Sequence, residues 1–351
     1  MNGKGKTIAR FDATGDSKNQ SFTTSEYEIL RGDLAQVLLE ELDATKKTEG
    51  TNVEVIYGES IESLEDRNDG VTVDFAKGRL QTRVFDVVVA ADGLGSSTRS
   101  MMFNQYKTGD CIKPVGWYMA YYTVPRLNHD ESVWSWYNAP GGLAVHMRPH
   151  RGGKTMGVYL SIVNSRKERI PDLEKVLSED MDAQRAALRK RFKDVGWQIE
   201  RFLHGMDHAE DFYMQHVTQV VTPHWTRGQY ALIGDSAHAT MGVGTSLAMI
   251  GAYVMAGELA KAKSSHLEDV STALGRYESI FRPLVTEHET PPPGFPQLVN
   301  PQTKLGLGVL HTAVRLVYWT KLDKLLQGWG QTSEEKWKLP DYGYRPTAAA
   351  R

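Results

Sequence analysis

Apolar positions along this chain change period several times, and each change predicts an element. Leu34, Val37, Leu38 and Leu42 recur at helical spacing, which predicts an amphipathic helix from Asp33 to Leu42 with Asp33 as N-cap. Shorter apolar runs predict strands at Thr7 to Phe11, Glu26 to Leu30, Val53 to Tyr57, Ile61 to Leu64 and Val71 to Phe75. The first two flank a polar loop, Asp12 to Thr24, and Asp69-Gly70 marks a hairpin-type turn. Val84 to Ala91 is apolar almost throughout, the signature of a buried central strand.

From about Tyr106 to Trp225 the pattern becomes aromatic and alternating. Trp117 to Val124, Val133 to Tyr137, Leu143 to Met147 and Thr155 to Val163 read as strands of an antiparallel sheet, parted by Pro140-Gly-Gly142 and Arg151-Gly-Gly153. Trp134 and Trp136 share one face of their strand, Trp117, Met119 and Tyr121 share one of theirs, and so do His146 and Arg148. These aromatic residues either wall a pocket for a planar substrate or form ordinary sheet core. A charged helical section follows from Asp172 to Lys193, then a strand at Tyr230 and helices over Thr245 to Lys263 and Gly275 to Thr286. Thr290-Pro-Pro-Pro-Gly294 is a rigid connector, and the tail after Trp337 is an extended strap with a frayed end.

Composition narrows the function classes. With 351 residues and 40% apolar content the chain supports a large core in two connected lobes. Its net charge of −2 gives no electrostatic case for nucleic acid. One cysteine, Cys111, excludes an intrachain disulfide and reads as a small core residue. Neither a signal peptide nor a membrane span is expected: the apolar stretch Leu305 to Leu326 is broken by His311, Arg315, Lys321, Asp323 and Lys324. A cytoplasmic location is the matching expectation. His204, His208, His216 and His224 lack metal-ligand spacing, so a solvated or capping role is expected for each.

Two aspartate turns carry the chemistry. In Asp86-Val-Val-Val-Ala-Ala-Asp92-Gly93-Leu-Gly-Ser96-Ser-Thr-Arg99 an apolar strand delivers Asp92 to a sheet edge, where open α/β sheets bind ligands. Gly93 permits a turn that a Cβ would obstruct, and Arg99 is placed to pair with Asp92 or a phosphate. The plainer alternative is a structural turn with a capping serine. In Tyr230-Ala-Leu-Ile-Gly-Asp-Ser-Ala-His238 a second strand delivers Asp235, and Gly242-Val-Gly244-Thr245 opens a long helix. A carboxylate there accepts ribose or ribitol hydroxyls while the helix N-terminus stabilises negative charge. The alternative is a helix cap with glycines for close packing. Together the turns point to a flavin nucleotide site.

These residues resemble the class A FAD-dependent monooxygenases, the p-hydroxybenzoate hydroxylase-like family. The family's Asp-Gly-x-x-Ser-x-x-Arg motif matches Asp92, Gly93, Ser96 and Arg99, and its Gly-Asp-x-x-His/Tyr motif with a following Gly-x-Gly matches Gly234, Asp235, His238, Gly242 and Gly244. Arg31 resembles the arginine that contacts FAD before the family's third helix. The resemblance implies an α/β fold: an incomplete Rossmann-like FAD-binding lobe (1–105 with 226–290), a substrate lobe on an antiparallel sheet (106–225), and a C-terminal helical segment with its tail (291–351). It implies FAD held by Arg31, Asp92, Gly93, Asp235, Gly242, Gly244 and Thr245, and substrate contacts from Trp134, Trp136, His146 and Arg148. The implied reaction is NAD(P)H- and O2-dependent hydroxylation or epoxidation of a small aromatic or polyketide-like molecule of secondary metabolism. No catalytic base recurs across the family, so none is transferred.

Departures from the pattern keep other readings open. Gly3-Lys-Gly5-Lys-Thr-Ile8 is not a Gly-x-Gly-x-x-Gly turn, since Ile8 takes the third glycine position and no strand precedes it. The family segment not found in the sequence is on the order of 60–90 residues, the part that holds the AMP half and pyrophosphate. An exposed sheet edge is expected in its place, open to a second copy or a partner. After His238, Ala239-Thr-Met241 is about three residues shorter than the family turn and lacks its proline. The alternatives are a non-redox cyclase or isomerase on the same architecture, and a non-catalytic binding protein.

Overall fold

Two kinds of apolar pattern produce two kinds of sheet. The computed structural model describes residues 1–3, 5–11, 29–50, 52–103, 109–322 and 337–344. The polar loop expected at Asp12 to Thr24 lies outside them, as does most of the strand expected at Glu26 to Leu30.

The first helix, α1 (Arg31–Glu49), begins two residues before the expected cap. Leu30 is its N-cap, Leu34 donates to the Leu30 carbonyl at 2.9 Å, and Asp33 sits in the first turn. Strands β1 (Ile61–Arg67) and β2 (Gly70–Phe75) form the expected hairpin, closed between Arg67 and Gly70. The run Val84 to Ala91 is not one central strand. It divides into β3 (Arg83–Phe85), antiparallel to β2, and β4 (Val88–Ala90), parallel to β11 (Tyr230–Leu232). Among the described residues β4 is the outer strand of its sheet, and Val89 is 39% exposed, which is why its apolar run lacks two buried faces. Neither Thr7 to Phe11 nor Val53 to Tyr57 forms a strand; with no ladder partner, a β-prone run stays irregular.

The aromatic section folds as expected into an antiparallel sheet of β5 (Ile112–Pro125), β6 (Ser135–Ala139), β7 (Leu143–Pro149), β8 (Thr155–Val163) and β9 (Tyr213–Val220), ordered β6-β7-β8-β5-β9. The charged section after it is two helices, α3 (Pro171–Leu177) and α4 (Met181–Phe192), after the short α2 (Ser97–Met102) of the Asp92 turn. Helix α5 (Ile199–His208) completes the cover. It buries Ile199, Phe202, Leu203 and Met206 against one face of the sheet, each contributing about 1.5–3 kcal/mol. Alternation then fixes the other face. Tyr118, Ala120, Tyr122 and Val124 join the helix-side core, so Trp117, Met119 and Tyr121 point away from it.

A second core surrounds β4 and β11 with α6 (Gly244–Ala260) and α7 (Leu267–Glu289), including Trp225, Leu247, Val254, Tyr277 and Phe281. Strand β10 (Thr226–Arg227) flanks β11, and α8 (Lys304–Thr320) contacts β6. The expected strap exists: Trp337 Nε1 donates to the Ile280 carbonyl at 2.8 Å, and Tyr342 donates to buried Glu258 on α6 at 2.9 Å. Among the described residues no helix is long and apolar enough to cross a membrane.

Candidate functional site

Parallel pairing brings the two aspartate turns together. With Tyr230 opposite Val88 and Leu232 opposite Ala90, β4 and β11 end at the same sheet edge, and Ile233 N donates to the Ala90 carbonyl at 3.0 Å. Asp92 and Asp235 therefore leave the sheet side by side.

Arg99 locks the turns to each other. It is 1% exposed, and it donates to the carbonyls of Ser236 at 2.8 Å and Leu94 at 3.0 Å. Of the partners expected for it, Asp92 is near enough for its charge to act on the guanidinium, which also ties together backbone oxygens beneath the turns. Ser236 adds a second tie, donating from Oγ to the Ala90 carbonyl at 2.6 Å.

Asp92 is engaged within its own loop. Its Oδ1 accepts from Ser96 Oγ at 2.5 Å and its Oδ2 accepts from Thr98 N at 3.1 Å, while Ser96 caps α2 by accepting from Arg99 N. A Cβ on Gly93 would meet no atom within 4 Å, so space is not what selects glycine there; its φ of 82° is.

Asp235 differs. It lies in a 3-10 turn, Gly234–Ser236, and its carboxylate accepts no hydrogen bond from a described residue. Asp235 is exposed, yet partial desolvation by the surrounding turn still pushes its carboxyl up, and the nearby Arg31 charge partly opposes that shift. Facing it, α6 begins at Gly244 behind Val243 with no side chain capping its N-terminus. A Cβ at Gly244 would stand 3.5 Å from Asp235 Oδ1, so the carboxylate borders the open end of α6. Gly242 turns with φ 92°, and Thr245 is exposed beside it. This combination fits a ligand that brings hydroxyl donors to a carboxylate and negative charge to uncapped backbone N–H groups.

Behind the turn His238 is 1% exposed, wedged 4.8 Å from the Trp225 ring and 5.4 Å from Phe281. Burial lowers its pKa to about 4, so it is neutral at physiological pH. The chain on either side of it is anchored, with Thr222 Oγ1 donating to the Ala237 carbonyl and Val220 N to the Ala239 carbonyl.

The predicted substrate residues also gather. Trp136 and His146 rings lie 4.4 Å apart, Trp134 and Trp136 rings 6.0 Å apart, and Arg148 stands 5.2 Å over Trp134. They occupy the sheet face away from α3, α4 and α5. Arg31 links this face to the Asp235 turn, because its charge acts on Asp235, Tyr121 and Tyr213 alike. Sequence reasoning missed β9, and with it Tyr213; the alternation Tyr213, Gln215, Val217 was the available signal.

Among the four histidines, His216 departs from a solvated role. It is stacked 4.3 Å from Tyr118 in the helix-side core, with Nδ1 2.9 Å from a Glu174 oxygen. Cys111 is buried, as expected of a core residue. Among the described residues no group of three His, Cys, Asp or Glu side chains is placed to hold a metal.

Comparison with known proteins matches residues 32–288 to the family described as "FAD binding domain". The chain is 29% identical over 356 residues to the FAD-dependent monooxygenase asL6 of Sarocladium schorii, covering 97% of this chain and 80% of that protein. It is 32% identical over 358 residues to the flavin-dependent monooxygenase eupH of a Phoma species, with the same coverage of 97% and 80%. Its fold is similar to the crystal structure of the tetracycline destructase Tet(51), with TM-score 0.66, 27% identity, and coverage of 90% of this chain and 76% of the other.

Proposed function

Because the chain belongs to the FAD-binding-domain family of class A flavin monooxygenases and is an oxidoreductase, we propose that it inserts one oxygen atom from O2 into a small aromatic or polyketide-like molecule of secondary metabolism, using NAD(P)H. The observation that carries this reading is the shared sheet edge, where unpartnered Asp235 borders the uncapped N-terminus of α6. These residues fit the ribityl and ring half of FAD. Asp235 would accept hydroxyl donors of the ribityl chain, and the backbone N–H groups of Gly242–Thr245 would stabilise negative charge on the bound group. Arg31 adds positive charge on the same side. Asp92 and Gly93 shape the neighbouring turn. Bound there, FAD would supply the redox chemistry that couples NAD(P)H oxidation to oxygen insertion, the second oxygen atom of O2 being released as water.

The protein's own residues do the rest. The aromatic face, with Trp134, Trp136, His146 and Arg148, orients the substrate and keeps water from the reacting carbon. In this reading residues 1–105 with 226–290 would serve the cofactor and 106–225 the substrate. The fungal relatives named as monooxygenases support a role in secondary metabolism. The outer edge of β4 is where a strand from a second copy or a partner would pair.

Purified chain titrated with FAD is expected to quench flavin fluorescence, and the complex to oxidise NAD(P)H faster with a hydroxylated aromatic added. A chain that stays colourless and leaves flavin fluorescence unchanged overturns this reading in favour of a non-redox activity or a binding role.

A further inference from the structure

Helix α8 carries an outward apolar stripe that no described part of the chain covers. Its inner side, Leu307 with Leu310, Val314 and Val317, is buried or half-buried against the body of the protein. Its start is tied to the aromatic sheet, with Gly141 N donating to the Gln302 carbonyl at 2.8 Å and Asn138 Nδ2 to the Val299 carbonyl at 2.9 Å. The outer side presents Leu305, Val309, Leu316 and Trp319, which are 81, 65, 58 and 82% exposed. With Thr312 they recur at alternating intervals of four and three residues, one stripe about 21 Å long at 1.5 Å per residue. The threonines on this side bond back to the helix itself. Thr312 Oγ1 donates to the Gly308 carbonyl at 2.8 Å, and Thr320 Oγ1 to the Leu316 carbonyl at 2.7 Å. Their hydroxyls need no water, so the stripe is apolar from end to end.

Charge decides what fits the stripe. From Thr290 to Leu322 the sequence contains Lys304, Arg315 and Lys321 and no aspartate or glutamate, although the whole chain has a net charge of −2. Lys304 and Arg315, eleven residues apart, lie on one rim, and Lys321 follows the Trp319 end. Exposed Tyr318 stands beside Trp319 there, and both are amphipathic rings suited to a headgroup boundary. Pairing with a second copy would set these cations against the same cations, with no acidic residue on the helix to answer them. Helix α1 makes the contrast. It also exposes Val37, Leu38 and Leu39, but Glu40, Glu41 and Asp43 follow directly, and an anionic surface repels them. Of the two, α8 joins an exposed apolar row to cations only.

We propose that α8 docks the protein on the surface of an anionic lipid bilayer. The row from Leu305 to Trp319 enters the boundary between headgroups and acyl chains to a depth of about 5–10 Å, and Lys304, Arg315 and Lys321 meet the anionic headgroups. The helix lies on the bilayer rather than crossing it, since no described helix is long and apolar enough to span. Because α8 packs on β6, docking brings the lobe of the aromatic sheet to the lipid, where apolar compounds concentrate. This proposal does not rest on the flavin reading.

The test is sedimentation of the full chain with phosphatidylcholine vesicles, with and without phosphatidylserine. Binding is expected to be about tenfold tighter with phosphatidylserine and to weaken as salt rises. Leu305→Ser combined with Trp319→Ser alters two exposed side chains, so the fold is retained, and it is expected to weaken vesicle binding about tenfold or more. Arg315→Gln is expected to cost about fivefold on phosphatidylserine vesicles and to leave phosphatidylcholine binding unchanged. No sedimentation of the unaltered chain, equal binding to both vesicles, or unchanged binding by the double variant overturns the proposal. Light scattering without lipid tests the other occupant: a dimer that the double variant dissociates assigns the stripe to a second copy and overturns it too. FAD binding, followed in parallel by flavin fluorescence, is expected to be the same in both variants.

Discussion

Asp92 and Asp235 both follow a parallel strand, both sit beside a glycine and both stand at one sheet edge, yet their carboxylates are used differently. Asp92 accepts from Ser96 and Thr98 and so builds the loop that carries it. Asp235 accepts nothing from the described residues, is raised in pKa by partial desolvation, and borders an uncapped helix. Nearly the same letters thus give one aspartate two partners inside its own loop and leave the other with no hydrogen-bond donor among the described residues. A motif match locates a turn; the hydrogen-bond inventory around the carboxylate assigns its work.

The contrast is broken most severely at Arg99, which holds both turns. Arg99→Met leaves the Ser236 and Leu94 carbonyls without their buried donor and is expected to destabilise the chain by about 3 kcal/mol, read by urea unfolding. FAD affinity is expected to fall with it, since both turns lose their common anchor.

Next comes Asp235→Asn, expected to weaken FAD by about ten- to a hundredfold without lowering stability. The sign follows from its pKa. Partial desolvation raises the carboxyl of this exposed residue above its ordinary value, so the native chain holds that proton somewhat more tightly than the unfolded chain. Native stability therefore declines as pH rises from about the unfolded value through the raised folded one, then levels off. Asn removes that decline, and unfolding midpoints between acid and neutral pH are expected to show it. A variant less stable than the parent at neutral pH would make Asp235 structural after all.

The smallest effect belongs to Asp92→Asn, expected to cost about 1 kcal/mol of stability through the weakened Ser96 and Thr98 bonds. Its loss in FAD affinity is expected to be smaller than that of Asp235→Asn. An Asp92→Asn chain as stable as the parent, with FAD binding lost, would exchange the two roles.

Much of this contrast was legible in the letters and part was not. Period and turn residues located the strands of the aromatic sheet, the Asp69-Gly70 hairpin and the helix after Gly244, because local chemistry dictates them. Val84 to Ala91 read as one buried strand, since composition does not say that its two halves pair with different sheets. Val53 to Tyr57 had strand composition without a ladder partner. Arg99 was named with Asp92 as a partner, but its acceptors, the carbonyls of Ser236 and Leu94, belong to backbone that only the fold brings near. The pairing of Trp136 with His146 across β6 and β7 escaped for the same reason: alternation gives each strand's face, but register between strands is set by distant pairing.

The strap from Trp337 to Tyr344 gives the far end of the chain a hold on the same ground. Tyr342 reaches Glu258, which is 2% exposed and also receives Lys261 and Arg276. Gly257 makes room for it, since a Cβ there would come within 2.3 Å of the Tyr342 ring. The helix braced in this way is α6, whose opposite end borders Asp235. Any side chain at Gly257 is therefore an alteration thirteen residues along α6 from Gly244, at the far end of the helix that borders Asp235.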